Sequence, residues 1–515
     1  MKMNDVIAAG KDNASSLLAV LMLGLFLPLL LYFVLPAMNV NSFGDSLSMD
    51  AIFKLVFGLV GGSIFLYITY LGATRYYVAP VCALFLYQTM YRGIDLYLPF
   101  IHMNFRALML AFSLPVLVVM LFKYRYKHNL IKPFIPVFLF FLINVIYTVV
   151  GFAQAPNSVY NPELYTMSPN TLIPRSFELE LTIYLTFLVI AIYLACHIFF
   201  FQREKALARF NQFIVTFLFG MSFWCVAMYF LNDPRLLNLL NGVKRLAGFS
   251  AGANGYAFLS GCMLLYVMRV LINNEAGRSM AFRTLCILSI AAGSIGTLLS
   301  YSRVNNIILI MFIIFNIVFL SKNKIKSFMN LAMVALGGLL VLGLLQALGS
   351  IDLMDTITER LADDGSSEFR PRTWEYLYSQ LQWDWHLFFG QGIGGVSSTL
   401  FKYFATRYFF NDQQIIYHPH NAFFHVFFDY GIFGFLCYYG TLFWLLIYGA
   451  KNLYVNGKLN MSSLFLIELL LYAMVSSTVD TYLFNTETIP FWVIATILYT
   501  QIAADKKEVE VHAIQ

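Results

Sequence analysis

The chain is written in long apolar runs separated by short polar breaks. Runs of about 18 or more mostly apolar residues recur from end to end, long enough to cross a bilayer as helices. They are continuous rather than alternating, which predicts helices and not the strands of a closed barrel. The pattern predicts spans at 17–36, 52–72, 77–91, 107–122, 134–153, 181–201, 213–231, 255–271, 285–300, 304–320, 331–348, 422–446, 464–479 and 489–503, about fourteen in all. The expected fold is all-α: a polytopic transmembrane helical bundle forming one membrane domain over residues 1–515. The first run follows Lys2 and Lys11 and carries no small-residue cleavage site, so it reads as a retained signal-anchor.

One polar stretch, 349–421, is far longer than the other breaks. It is expected to be a large extracytoplasmic loop carrying short helices. Within it, "RPRTWEYLYSQLQ" predicts a helix opened by Pro371, with Trp374, Leu377, Tyr378 and Leu381 as its apolar face. Such a helix would lie on the membrane surface or cap a cavity. The chain shows no internal repeat, no low-complexity segment and no separate soluble domain.

Composition agrees with a membrane protein. Of 515 residues, 60% are hydrophobic and 12% charged, against roughly 25% charged in soluble domains. The 6 cysteines all fall in expected spans, which implies no disulfide framework, and none has zinc spacing. No metal, cofactor or nucleic-acid partner is expected. The net charge of +6 says little until the charges are placed. If the spans alternate, the lysines of "KYRYKHNLIK", "REKALAR", "KNKIK", "KNLYVNGK" and "DKK" fall on one side with Lys2 and Lys11. The positive-inside rule makes that side cytoplasmic, with both termini on it.

The outward side uses a different cation. It takes only Lys54, Lys244 and Lys402, together with Arg92, Arg106, Arg175, Arg235, Arg245, Arg303, Arg360, Arg370, Arg372 and Arg407. Arginine grips phosphate or carboxylate through a planar fork, whereas lysine is a point charge. An anionic outward ligand is therefore expected, and a phosphate fits. The competing reading is pairing with loop acids such as Asp363, Asp364 and Glu368. That reading is weakest for Arg303, which stands between two spans in "SYSRVNN", where a charge is expensive and marks a functional candidate.

Four outward stretches stand out: "KRLAGFSAGANGYAF", "SYSRVNN", "RPRTW" with "GQGIGG", and "YHPHNAFF" with "DYGIFG". In this order they resemble the O-antigen ligase / O-antigen polymerase superfamily of bacterial membrane glycosyltransferases. Arg245, Gly248, Asn254 and Ala257 look like its Arg-x-x-Gly and Asn-x-x-Ala motif. Ser302-Arg303, Arg372-x-Trp374 with Gly390, Gly392 and Gly394, and His420-Asn421 with Gly431 and Gly434 look like the others. The likeness covers roughly 240–440; the proline usual near "WDWHLFFGQG" is absent. It implies an inverting glycosyltransferase in the bacterial inner membrane, working at the periplasmic face. The expected partners are a glycan donor on undecaprenyl diphosphate, a glycan or lipid-linked acceptor and membrane lipid, with a chain-length regulator as a further candidate. It implies His420 as base with Arg303 and Arg245 in catalysis, and Arg370, Arg372, His418, Asn421 and Asn254 in substrate binding.

If the donor is a glycan on a lipid diphosphate, its chemistry calls for such arginines and such a base. A diphosphate leaving group needs no general acid. It needs its growing charge stabilised, which fixed guanidinium groups supply. The acceptor hydroxyl needs a base working near neutral pH, commonly a histidine. His420 stands ahead of a helix start, at the positive end of the dipole, which favours a neutral ring as proton acceptor. Pro419 and Asn421 are expected to set the turn and cap the helix. The plainer reading of "HPHN" is a polar start to an interfacial helix. His425 reads as a core polar residue, and Asp429, Asp480 and Glu487 as structural acids or orienters of the base. Polymerisation of repeat units is slightly favoured over ligation of a finished chain. A lipid-linked glycan transporter is the further alternative, but here polar residues gather at one face rather than at midmembrane.

Overall fold

The computed structural model describes residues 97–98, 103–104, 130–150, 174–201, 203–231, 237–240, 243–248, 252–273, 280–320, 366–381, 383–396, 399–400, 419–478 and 488–514. The expected spans at 17–36, 52–72, 77–91, 107–122 and 331–348 lie outside these residues, as do His418 and Arg407. The described part is mostly helical. Helices α1 (Ile135–Val150), α2 (Pro174–Phe201), α3 (Arg203–Phe230), α4 (Ala253–Ile272), α5 (Met280–Leu299) and α6 (Arg303–Leu320) come first. Next are α7 (Ser366–Ser379), α8 (Trp385–Phe389), α9 (Ala422–Lys451), α10 (Met461–Ser476) and α11 (Ile489–Ile514). Three two-stranded antiparallel hairpins punctuate them: β1 (Tyr97–Leu98) with β2 (Met103–Asn104), β3 (Leu237–Leu240) with β4 (Val243–Leu246), and β5 (Tyr454–Val455) with β6 (Lys458–Leu459). Among the described residues, 6 helices are long and apolar enough to cross a membrane: Lys132–Val150, Ala206–Phe230, Ala253–Ile272, Met280–Leu299, Arg303–Leu320 and Ala422–Lys451.

Local chemistry accounts for the helix ends. Pro174 opens α2 at its first position, where the missing N–H costs nothing. Asn460 caps α10 by accepting from Ser463 N at 3.1 Å, and Asn421 caps α9. Within α9, Gly431 at φ 64° and ψ −166° breaks the helix into two segments across a kink. A side chain there would meet the backbone of Phe388 and Gly390, so the kink needs glycine for clearance as well as for φ.

The core is one apolar cluster built on α4, which is buried along almost its whole length and packs against α3, α5 and α10. Close approach relies on a small residue. A Cβ on Gly261 would run into the Tyr472 ring and hydroxyl, and that hydroxyl donates to the Ala257 carbonyl at 2.9 Å. By contrast, α6 buries only a narrow stripe that includes Asn305, Leu309 and Asn316. A smaller cluster of Leu377, Val396, Leu400 and Phe428 joins α7 to the glycine loop and α9.

Two details of the loop helix differ from expectation. The helix starts at Ser366, so Pro371 lies inside it instead of opening it. Its buried face is Thr373 and Leu377, flanked by Trp374, Tyr376 and Leu381, while Tyr378 is exposed. Leu377 stays inward, in the small cluster, and the face turns from Tyr378 toward Thr373.

Candidate functional site

The motifs that lie far apart along the chain meet at one end of the bundle. The β3–β4 hairpin delivers Arg245, whose register partner is Asn238. Arg245 is buried. Its Nε donates to the Ser300 carbonyl at 2.9 Å, and its Nη2 to Asn254 Oδ1 at 2.5 Å. Ser300 follows the last residue of α5, so the guanidinium sits on a carbonyl just past the helix C-terminus, at the negative end of its dipole. The neighbouring Lys244 donates to the Tyr229 carbonyl at 2.6 Å and lies 4.3 Å from the Tyr229 ring centre. Burial pulls its ammonium below the usual lysine value.

From Ser300 the chain reverses through Tyr301, at φ 52°, and Ser302 into α6, whose first residue is the exposed Arg303. Asn305 secures this turn. Its Nδ2 donates to Ser302 Oγ at 2.9 Å, and its Oδ1 accepts from the Ser476 hydroxyl. Ser476 ends α10, and the next two residues hold the histidine turn. The Ser477 carbonyl accepts from Ala422 N at 2.9 Å, and the Thr478 carbonyl from Asn421 Nδ2 at 3.3 Å. Asn421 Oδ1 accepts from the backbone N–H groups of Phe423 and Phe424 at 2.9 and 3.2 Å. Asn421 thus does as expected of a cap, and also ties its turn to α10.

His420 is half-buried and takes φ 49°, a left-handed conformation uncommon for a side chain of this size. On its other side, Trp374 of α7 donates from its indole to the Pro419 carbonyl at 2.7 Å and stacks on Phe424 at 5.9 Å. The arginines of that helix are less enclosed: Arg370 is half-buried and Arg372 exposed. A run of hydrogen bonds therefore links Asn254, Arg245, the turn before Arg303, the end of α10, the His420–Asn421 turn and α7.

The glycine loop is held beside this run by Asp429. Its carboxylate accepts from Gly394 N at 3.0 Å and Val396 N at 2.8 Å, and lies 3.3 Å from His425 Nε2, one helical turn away. The carbonyls of Phe428 and Asp429, freed by the kink, accept from Gln391 N at 2.9 Å and Gly392 N at 3.0 Å. Tyr147 of α1 donates to the Phe389 carbonyl from below. His425 is the core polar residue expected, buried against the Asp429 carboxylate. Asp429 holds the glycine loop, and Asp480 and Glu487 lie outside the described residues. Sequence reasoning missed the parts played by Trp374, Ser476 and the carbonyls of Ser300, Ser477 and Thr478. No side-chain pattern marks a backbone acceptor, although Trp374 lies within the RPRTW motif. Among the described residues, no three His, Cys, Asp or Glu side chains come together as metal ligands.

Residues 285–439 match the family model described as O-antigen ligase. The match bears out the O-antigen ligase and polymerase superfamily. The matched segment begins within α5 and ends within α9. It contains Arg303, Arg370, Arg372, His420 and Asn421, whereas Arg245 and Asn254 precede it. The family, with the apolar helices, marks a membrane protein of glycosyltransferase-like type acting on lipid-linked glycans. No curated protein matches the chain.

Proposed function

We propose that this protein is an inverting, metal-independent glycosyltransferase of the bacterial inner membrane that polymerises a surface polysaccharide. It acts at the periplasmic face on glycans carried by undecaprenyl diphosphate, with both termini in the cytoplasm. The observation that carries this reading is the hydrogen-bonded run joining Arg245 and the turn before Arg303 to the turn of His420 at one end of the bundle. In the reaction, an acceptor hydroxyl attacks the anomeric carbon of the donor and gives its proton to His420. The bond from that carbon to the diphosphate oxygen breaks, and the diphosphate leaves with the electron pair. Arg303 and Arg245 stabilise its charge, while Arg370, Arg372, His418, Asn421 and Asn254 position donor and acceptor. A dedicated chain-length regulator would be a further partner.

A second reading, ligation of the finished glycan to a lipid acceptor, is favoured by the family match, whose description is O-antigen ligase. Single-turnover transfer in sealed vesicles of known orientation separates the two. A defined lipid-linked oligosaccharide is supplied at the outward face, with and without chelator. Products longer by whole repeat units, still on the carrier and unaffected by chelator, fit the polymerase. Transfer only to an added lipid acceptor fits the ligase. Activity solely with donor at the opposite face, or its loss with chelator, overturns the orientation or the metal-independent mechanism.

A further inference from the structure

Glu468 lies halfway along α10, between helices, and is 2% exposed. Asn316 of α6, 1% exposed, donates from Nδ2 to Glu468 Oε2 at 2.8 Å and to the Phe312 carbonyl at 2.9 Å. Counting along α6 from Arg303, Asn316 is ~20 Å from the outward end at 1.5 Å per residue. The pair therefore sits deep in the apolar bundle. Its other two oxygens, Glu468 Oε1 and Asn316 Oδ1, are buried, and no described donor reaches either.

An ionised carboxylate can only accept hydrogen bonds, as can the amide oxygen. An ionised Glu468 would thus leave two acceptors facing one amide donor in an apolar interior. An isolated buried carboxylate is costly enough that neutralisation is the usual outcome. Among the described residues, no cation pairs with Glu468. Arg269 of α4 donates to Ser462 and Gln501, His425 and Asp429 of α9 pair with each other, and Asp505 of α11 accepts from Asn460. One proton satisfies both orphaned oxygens: carried on Oε1, it makes Glu468 a donor whose matching acceptor is Asn316 Oδ1.

We propose that Glu468 is a proton-holding site inside the membrane, a neutral carboxylic acid joined to Asn316 by two hydrogen bonds, and that this clasp sets α6 against α10. The same two helices meet again at Asn305 and Ser476. Arg303 begins α6, and α10 runs into the carbonyls that hold the His420 turn. Glu468 and Asn316 are then positioning residues for the spacing between arginine and histidine, a role that rests on the transfer reaction above. The proton site itself does not depend on it.

Infrared spectra of the full-length protein in lipid test the proton. Wild type is expected to show a carboxylic-acid carbonyl band, unmoved across neutral buffer pH, that is missing from Glu468→Gln and shifted in Asn316→Leu. Loss of a carboxylate band in Glu468→Gln, with no acid band lost, overturns the proton site; an unmoved band in Asn316→Leu overturns the clasp. For positioning, Glu468→Gln offers Asn316 one donor and one acceptor, so it should retain transfer. Glu468→Leu should lower kcat about 3- to 20-fold with donor KM unchanged, from the usual worth of intramembrane hydrogen bonds. A Gln variant as impaired as the Leu variant shows that charge is needed and overturns the proposal. If wild type transfers no glycan but the acid band is present, the transferase reading fails and the proton site stands.

Discussion

The protein uses left-handed backbone at two ends of its bundle and fills it with different residues. The β5–β6 hairpin turns through Asn456 and Gly457, at φ 52° and 71°. Asn and Gly are the residues this conformation suits, and an Asn-Gly turn forms from its own sequence. At the opposite end, Tyr301 takes φ 52° and His420 φ 49°. Those turns are held from outside: Arg245 on the Ser300 carbonyl, Asn305 on Ser302, α10 on Ala422 and Asn421, and Trp374 on Pro419. Where a residue suits its turn, local sequence sets the backbone. Where a residue does not suit its turn, the surrounding fold must hold the backbone; such strain collects at functional sites, in keeping with the role proposed for His420.

That contrast breaks first at His420. His420→Ala is expected to cost about 10²- to 10⁴-fold in transfer, the usual worth of a general base, while insertion and donor binding persist; His418→Ala should cost less. Single-turnover assay at matched expression reads this, and a wild-type rate would remove the base assignment. Next come the arginines. Arg303→Lys and Arg245→Lys keep charge but lose the fork, for roughly 10- to 100-fold from one charged hydrogen bond. Arg407→Lys should be silent, and a fully active Arg303→Lys protein would exclude two-pronged phosphate recognition there.

The glycine loop offers a smaller effect. Asp429→Asn leaves one acceptor oxygen for the two N–H groups of Gly394 and Val396. Amide exchange at those positions should speed by about tenfold or more, whereas unchanged protection would mean that the kink alone holds the loop. At the opposite end, Gly457→Ala should lower stability by about 1–2 kcal/mol, the cost of a left-handed alanine, without altering the transfer rate. A loss of transfer beyond the loss of folded protein would show that the hairpin is coupled to the site. The smallest effect concerns Asp384, which caps α8. The His386 N–H at its carboxylate holds its pKa below the usual value. With the folded value depressed, the cap contributes above the ordinary carboxylate range and is lost as pH falls through the folded value. Exchange at His386 should therefore quicken only in acid; quickening at neutral pH would assign the cap elsewhere.

Much of the described fold is legible in the sequence, because a span is a local property. Eighteen or more apolar residues must form internally bonded helix in lipid wherever they fall, so α4, α5 and α6 lie within a few residues of the expected bounds. Asn421 was readable as a cap for the same local reason, and the Asn-Gly hairpin needs no other part of the chain. The candidate site residues were readable as types: a charge between two spans, and a histidine before a helix. What only the tertiary structure decided is who meets whom. Arg245 reaches Ser300, Ser476 reaches Asn305, Trp374 reaches Pro419, and Glu468 reaches Asn316, across separations that no local pattern encodes. The same holds for the side of α7 that turns inward, where Leu377 is buried and Tyr378 is not. These are choices among packings of similar apolar faces. They depend on small contact points such as Gly261 and Gly431, and on backbone carbonyls that have no letter of their own in the sequence.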